Sequence, residues 1–213
     1  FDGATASIVA DQYPGDFEGS APYGLMVYQG KMYYSAADLT YGSELLRYDG
    51  ANVTLAADIV PGPLSSIPGG MTGFNNALFF QAYDGNGDPE LWRFTLPGGP
   101  ASRVKDIYCG VFGSLPGRFI PFNGRLYFVA KDFDCGTSEQ HGTELWSTDG
   151  TTAGTLLAAD INPGLGDSNP RNFTPFNGAL YFRAYDATNG YEIRRFDGVS
   201  HSLLADINPG GGS

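Results

Sequence analysis

The segment Phe173-Thr174-Pro175-Phe176-Asn177-Gly178-Ala179-Leu180-Tyr181-Phe182 contains an Asn-Gly pair between two apolar runs. Both residues tolerate a positive φ, so the pair predicts the tight turn of a β-hairpin. The pattern occurs four times, beginning at Tyr28-Gln29-Gly30, Phe74-Asn75-Asn76, Phe122-Asn123-Gly124 and Phe176-Asn177-Gly178. The copies are 46, 48 and 54 residues apart, which is typical of propeller blades, and the sequence has none of the long 3.6-periodic stretches that helical repeats need.

A third and a fourth strand follow each hairpin. The third strand begins with a glutamate, in Glu44-Leu45-Leu46, Glu90-Leu91-Trp92, Glu144-Leu145-Trp146 and Glu192-Ile193-Arg194. The fourth strand is predicted at Val53 to Asp58, Ser102 to Asp106, Thr155 to Asp160 and Ser202 to Asp206. We therefore predict an all-β fold, a β-propeller of four four-stranded antiparallel blades or a four-blade segment of a larger one. The single domain divides into blades at about residues 20–66, 67–114, 115–168 and 169–213.

The fourth-strand pattern occurs a fifth time, within residues 1–19 at the N-terminus. Phe1 to Asp11 parallels Phe196 to Asp206, so four blades leave one copy without a partner. Either the chain is a piece of a longer array, or a terminal strand completes a blade of a neighbouring subunit, or the extra copy is a peripheral tail. The residues predicted to mediate self-association are Ile8, Val9, Ala10, Leu203, Leu204 and Ala205.

The third unit resembles a known family. Its sequence Glu144-Leu145-Trp146-Ser147-Thr148-Asp149-Gly150-Thr151, followed by Asp160-Ile161-Asn162-Pro163-Gly164, is similar to the ELWxxDGT repeat of bacterial secreted and cell-surface proteins. The likeness extends over the chain and is weakest in the second unit, which lacks the Asp-Gly-Thr turn. The resemblance implies a β-propeller-like fold and an extracellular or cell-surface location, and it implies no catalytic activity.

Charge and composition exclude several function classes. The 213 residues carry a formal net charge of -11, which argues against nucleic acid as a partner. No apolar run approaches the roughly 18 residues that cross a bilayer, so we expect no membrane insertion. The two histidines, His141 and His201, lie in different units without a nucleophile motif, and the carboxylate pairs repeat in every unit. The sequence therefore predicts a protein that is not an enzyme.

An acidic loop in the second unit is a candidate calcium site. Its oxygen donors alternate with glycines, at Asp84, Asn86, Asp88 and Glu90. Calcium takes six to eight oxygen ligands, and this spacing can wrap one ion. The alternative is that these carboxylates accept backbone N–H bonds in turns, which Asp does routinely. The sequence indicates no required cofactor, and calcium is the one ion for which it offers a candidate site.

Cysteines and acceptor motifs complete the candidate sites. Cys109 and Cys135 both belong to the third unit and are predicted to lie on one face of the propeller, where a disulfide would join them in an oxidising compartment; two free thiols are the alternative. Asn52 and Asn172 match the N-glycosylation pattern.

We therefore expect a non-catalytic structural or interaction module of an extracellular bacterial protein. The first hypothesis is a surface or filament subunit that joins copies of itself head to tail through a terminal β-strand. The alternative is a glycan-binding, lectin-like propeller, assisted by calcium. A hydrolase with its site on one propeller face is a third hypothesis, because fold alone does not determine activity.

Overall fold

The computed structural model describes residues 8–15, 19–207 and 209 of the chain. This part contains sixteen β-strands and no helix that could cross a membrane. The strands are β1 Tyr23–Tyr28, β2 Lys31–Asp38, β3 Gly42–Tyr48, β4 Val53–Ala57, β5 Gly69–Phe74, β6 Ala77–Tyr83, β7 Pro89–Thr95, β8 Ala101–Lys105, β9 Gly117–Phe122, β10 Arg125–Lys131, β11 Thr143–Thr148, β12 Leu156–Ala159, β13 Arg171–Phe176, β14 Ala179–Asp186, β15 Gly190–Phe196 and β16 His201–Ala205.

The sixteen strands form four antiparallel sheets of four consecutive strands each. Within each sheet the strand order follows the chain order, so every connection is a hairpin. The first strands of the sheets lie at the centre, where β1 contacts β5, β5 contacts β9 and β9 contacts β13. The predicted fold, a four-blade all-β propeller, is confirmed.

The first hairpin turn of each blade has the backbone that its sequence predicts. Asn123 and Gly124 have φ of 45° and 75°, and Asn177 and Gly178 have φ of 45° and 73°. Two successive positive φ values match the right-handed twist of the flanking strands, and Asn and Gly are the residues that tolerate them. These turns set the register, so that Phe176 pairs with Ala179.

The core consists of three apolar layers between consecutive blades. A second strand sends alternate side chains to its two faces, and both faces of an interior blade are covered. In the second blade, Phe80 packs toward the first blade and Phe79 toward the third. The aromatic pairs of the second strands are thus mostly core, as expected from their alternation.

A fourth apolar cluster contains residues of the first blade alone. Tyr34, Ala36 and Leu46 pack with Met32, Tyr48 and Val53. Over the described residues 19–207, none of the apolar clusters joins the fourth blade to the first. Among the described residues, three apolar blade interfaces are therefore formed, and no apolar cluster joins the outer faces of the two end blades.

The terminal copies of the fourth strand differ in structure. Leu203, Leu204 and Ala205 lie in β16, which pairs with β15 of its own blade. Ile8, Val9 and Ala10 lie in no strand, and residues 1–7 and 16–18 fall outside the described residues. Ile8–Ala10 pairs with no strand of its own chain, and its pairing with a neighbouring copy stays a prediction.

Candidate functional site

The repeated glutamates of the third strands lie between blades. Glu90, in β7, is fully buried. Its carboxylate accepts hydrogen bonds from the backbone N–H groups of Ile107 (3.0 Å) and Tyr108 (2.9 Å), which follow its own blade. It also accepts from the N–H (3.0 Å) and Oγ (2.6 Å) of Ser114, which precedes the next blade. One carboxylate thereby holds the end of one blade to the start of the next, and we call this arrangement a clasp.

The first and third blades form the same clasp. Glu44 accepts from Ile59 N–H at 2.8 Å and from the N–H and Oγ of Ser66 at 2.9 Å and 2.6 Å. Glu144 accepts from Ile161 N–H at 2.8 Å, and the N–H and Oγ of Ser168 lie 3.0 Å and 2.6 Å from its oxygens. The repeated carboxylates are therefore structural at these three positions, which is the turn-capping alternative rather than an acidic ligand-binding face.

Burial changes the acidity of these carboxyl groups. Desolvation raises the pKa of Glu90 and of Glu144 to about 7, although the hydrogen bonds they accept act in the opposite direction. The pKa of Glu44 is also raised, again mainly by burial. We therefore expect the strength of the clasps to depend on pH near neutrality.

The clasp serines were not identified from the sequence. The signal that could have found them is a Ser-x-Pro motif eight residues after each fourth-strand aspartate, at Ser66, Ser114 and Ser168. Local sequence patterns predict only that such residues lie in loops. Their role becomes visible only when the glutamate of the preceding blade, 22 or 24 residues away, is placed beside them.

The face of the first blade that would meet a preceding blade, here its entry face, has half of this arrangement. Ser20 belongs to the Ser-x-Pro motif Ser20-Ala21-Pro22. Its carbonyl accepts the Ala37 N–H at 2.8 Å, as the Ser66 carbonyl accepts the Tyr83 N–H at 2.8 Å. Among the described residues, no carboxylate accepts from the Ser20 N–H or Oγ. The serine of the motif is therefore in the same backbone position as Ser66.

The opposite face of the fourth blade, here its exit face, carries the equivalent glutamate. Glu192 occupies the glutamate position of β15 and is buried. The adjacent Ile193 is 40% exposed, whereas Leu45, Leu91 and Leu145 at the same position are 0% exposed. Beside it lies a cleft lined by Phe182, Tyr191 and Ile207. The exit face is thus more exposed at this position than the three interior interfaces, and Arg183 and Glu192 line its cleft beside the apolar side chains.

The acidic loop of the second blade is arranged around an arginine. Arg103 lies 3.7 Å from Asp84 and 3.3 Å from Asp88, and it also approaches Asp106 at 3.7 Å. Carboxylate oxygens of Asp88, Glu90 and Asp106 lie within 4.8 Å of one another, while Asn86 donates to Asp84. The structure therefore brings together two of the predicted calcium ligands, Asp88 and Glu90, with an aspartate that the prediction lacked. Glu90 already accepts four hydrogen bonds there.

The predicted cysteine pair lies beside the second clasp. Cys109 and Cys135 form a disulfide, with a Cα–Cα distance of 5.7 Å. It joins the connection between β8 and β9 to the β10–β11 loop. A cavity of about 430 Å³ lies under it, where His141 Nδ1 is 2.6 Å from Asp132 Oδ2. This carboxylate raises the pKa of His141. No serine or cysteine nucleophile contacts the ring among the described residues, since both cysteines are oxidised.

The remaining candidate residues lie apart from these sites. Asn52 is exposed in the turn between β3 and β4, and Asn172 is exposed in β13. Both positions are accessible to modification. Trp146 is buried in the core between the second and third blades, so it offers no platform for a sugar ring.

Comparisons with known proteins identify the fold alone. The sequence matches no protein-family model and no curated protein. A puromycin hydrolase structure is similar over 94% of this chain and 35% of its own, with a TM-score of 0.58 and 18% identity. A puromycin-hydrolyzing peptidase of Mycobacterium tuberculosis has a TM-score of 0.55 and 13% identity, over 87% of this chain and 32% of its own. The GH74 xyloglucanase of Xanthomonas campestris has a TM-score of 0.54 and 15% identity, over 86% of this chain and 30% of its own. The chain thus spans about a third of these structures, and the likeness supports a propeller module.

Proposed function

We propose that this protein is a non-catalytic propeller module that joins copies of itself head to tail. The observation that carries the proposal is the exit face of the fourth blade, where Ile193 is exposed while Leu45, Leu91 and Leu145 at the same position are buried. Interior faces of the same kind are buried in this chain. An apolar residue exposed where its repeat counterparts are buried favours association with a matching surface.

The N-terminal segment supports the proposal from a second direction. Val9, Ala10 and Gln12 line one cleft together with Met32 and Tyr34 of the first blade. The segment repeats the fourth-strand pattern, and it lies on the face where the fourth strand of a preceding blade would lie. We infer that it pairs with β15 of a neighbouring copy in place of β16, which is a strand-exchange mode of assembly.

The disulfide bears on the location of the protein. Disulfides persist in oxidising compartments and are rare in the cytosol. The Cys109–Cys135 bond therefore supports an extracellular or cell-surface location, as part of the same proposal.

The test measures particle mass by light scattering together with negative-stain electron microscopy. The full chain should form particles larger than 22.7 kDa that grow with concentration. Deletion of residues 1–11 should reduce their size and leave the circular dichroism of the blades unchanged. Ile193→Asp should act in the same direction, because it places a charge on the open exit face. Leu165→Asp is the matched control, since Leu165 is 76% exposed in the loop between β12 and β13. A full chain that stays monomeric at every concentration contradicts the proposal.

A further inference from the structure

The third blade has a loop that the other three blades lack. In the other units the second-strand aspartate precedes the third-strand glutamate by six positions, as Asp84 precedes Glu90, whereas Asp132 precedes Glu144 by twelve. The extra residues lie in the β10–β11 loop, which the Cys109–Cys135 disulfide ties to the connection between β8 and β9. The insertion therefore builds one wall of the cavity of about 430 Å³, and the second unit supplies the opposite wall.

The size of this cavity fits a small organic molecule better than a single ion. Its volume of about 430 Å³ falls within the range of about 300–1,000 Å³ that is typical of small-ligand pockets. Among the described residues, His141 belongs to no group of three side chains that could hold a metal ion. We therefore consider which organic ligand the walls of the cavity would recognise.

The walls combine hydrogen-bond donors and acceptors. His141 Nδ1 lies 2.6 Å from Asp132 Oδ2, which leaves the other ring nitrogen, Nε2, for a ligand. Lys105 Nζ donates to the Thr155 carbonyl at 2.9 Å, and an ammonium group has further N–H bonds to give. Glu139 adds an exposed carboxylate from the inserted loop. A hydroxyl group both donates and accepts, so a ligand rich in hydroxyl groups can pair with both kinds of partner.

The charges of the cavity exclude acidic ligands. Four carboxylates line it, and they face one ammonium and one imidazole; the carboxylates are those of Asp106, Asp132, Asp134 and Glu139. A ligand that carried its own carboxylate or sulfate would be repelled by like charges at short range. Stacking on Trp146 contributes nothing, because this side chain is buried in the blade interface. Recognition in this cavity is therefore polar and favours an uncharged ligand.

We propose that the cavity between the second and third blades binds a short neutral saccharide, whose hydroxyl groups pair with His141 Nε2, Lys105 Nζ and the Glu139 carboxylate. This inference goes beyond the proposed self-association and does not depend on it, because the cavity lies away from the exit face of the fourth blade. The disulfide holds the inserted loop over the cavity, so the site is complete only in the oxidised chain.

The first experiment applies the labelled full chain to an array of neutral and acidic glycans. We expect saturable binding to at least one neutral glycan and no binding to uronate, sialylated or sulfated glycans. Each glycan that binds is then titrated as the free saccharide and followed by tryptophan fluorescence, since Trp146 lines the cavity. An array on which no neutral glycan binds, or on which acidic glycans bind best, overturns the proposal.

The second experiment locates the bound saccharide with variants. Glu139→Ala is the first choice because Glu139 is exposed, so that folding is preserved, and His141→Ala removes the ring. Each should weaken saccharide binding by about tenfold. Asp206→Ala is the matched control, because Asp206 is an exposed carboxylate that does not line the cavity, and it should bind as wild type. Equal affinity of wild type, Glu139→Ala and His141→Ala would place the saccharide elsewhere and overturn the site.

The third experiment removes the disulfide. The double variant Cys109→Ser with Cys135→Ser releases the inserted loop, and saccharide affinity should fall by about tenfold or more because the cavity is no longer preorganised. The circular dichroism of the blades should not change. Full saccharide affinity in this variant contradicts a site under the inserted loop. In all of these variants the particle mass from light scattering should equal that of wild type, which keeps this test separate from that of self-association.

Discussion

The entry faces of the second and the first blade have the same local structure and different surroundings. Both begin with a Ser-x-Pro motif, and both serine carbonyls accept an N–H from the second strand, at 2.8 Å in each case. In the second blade the serine hydroxyl binds Glu44, and the face is buried against the first blade. In the first blade it has no carboxylate among the described residues. A blade is therefore shaped by its own hairpins, whereas the coverage of its faces depends on its neighbours.

The largest loss of stability is expected when the carboxylate of an interior clasp is removed. Glu90→Ala leaves the N–H groups of Ile107, Tyr108 and Ser114 and the Ser114 hydroxyl without an acceptor in a buried position. Each such group costs about 1–3 kcal/mol, so we expect a loss of at least about 3 kcal/mol in the free energy of unfolding, measured with denaturant.

The matched control for this variant is Asp49→Ala. Asp49 also accepts two backbone N–H bonds, from Ala51 and Asn52, but in an exposed turn. Asp49→Ala should therefore lower the free energy of unfolding by much less than Glu90→Ala does. Equal effects of the two variants would show that the clasp contributes no more than an ordinary turn.

A rise in pH should weaken the interior blade interfaces less than Glu90→Ala does. The pKa of Glu90 is about 7 in the folded chain and about 4.5 when unfolded, so the folded state binds more protons between these values. Its contribution is therefore fully present below about pH 4.5 and is lost as pH rises to about 7. The difference between the two pKa values corresponds to a loss of up to about 3 kcal/mol.

Glu90→Gln, which cannot ionise, should remove this part of the pH dependence. Thermal unfolding of wild type and variant between pH 5 and pH 8, at about half-unit steps, measures the difference. Glu139→Gln, on the exposed β10–β11 loop, is the control and should keep the wild-type slope. Parallel profiles for wild type and Glu90→Gln would contradict the assignment.

The smallest expected effect concerns the charges beside the second clasp. Arg103→Gln removes the cation that faces Asp84, Asp88 and Asp106, and Asp88 is buried. Because Arg103 is 36% exposed, the loss should be only about 1 kcal/mol. Millimolar calcium should restore stability in this variant by replacing the missing charge, and Arg103→Lys should behave as wild type. A variant that calcium leaves unchanged argues against any cation site at these carboxylates.

The hairpins and the blade count were predictable because their signals are local. Asn177-Gly178 predicts its turn from two residues, and the glutamate of each third strand lies where the repeat places it. The function of those glutamates was not predictable in the same way, because Glu90 binds a serine 24 residues later, across a blade boundary. Local patterns also could not predict whether the four blades close into a ring, since closure depends on the angle between blades. The N-terminal repeat predicted a strand, but Val9 and Ala10 lie in no strand within this chain.

Because each clasp joins only consecutive blades, the chain resembles a linear series of nearest-neighbour units more than a closed ring. An interior blade is held from two sides and an end blade from one, so the end blades should open first in native-state hydrogen exchange. The second and third blades, which share the interface beside the Cys109–Cys135 disulfide, should exchange last. Docking of another copy would turn an end blade into an interior one, so that its exchange protection would report assembly.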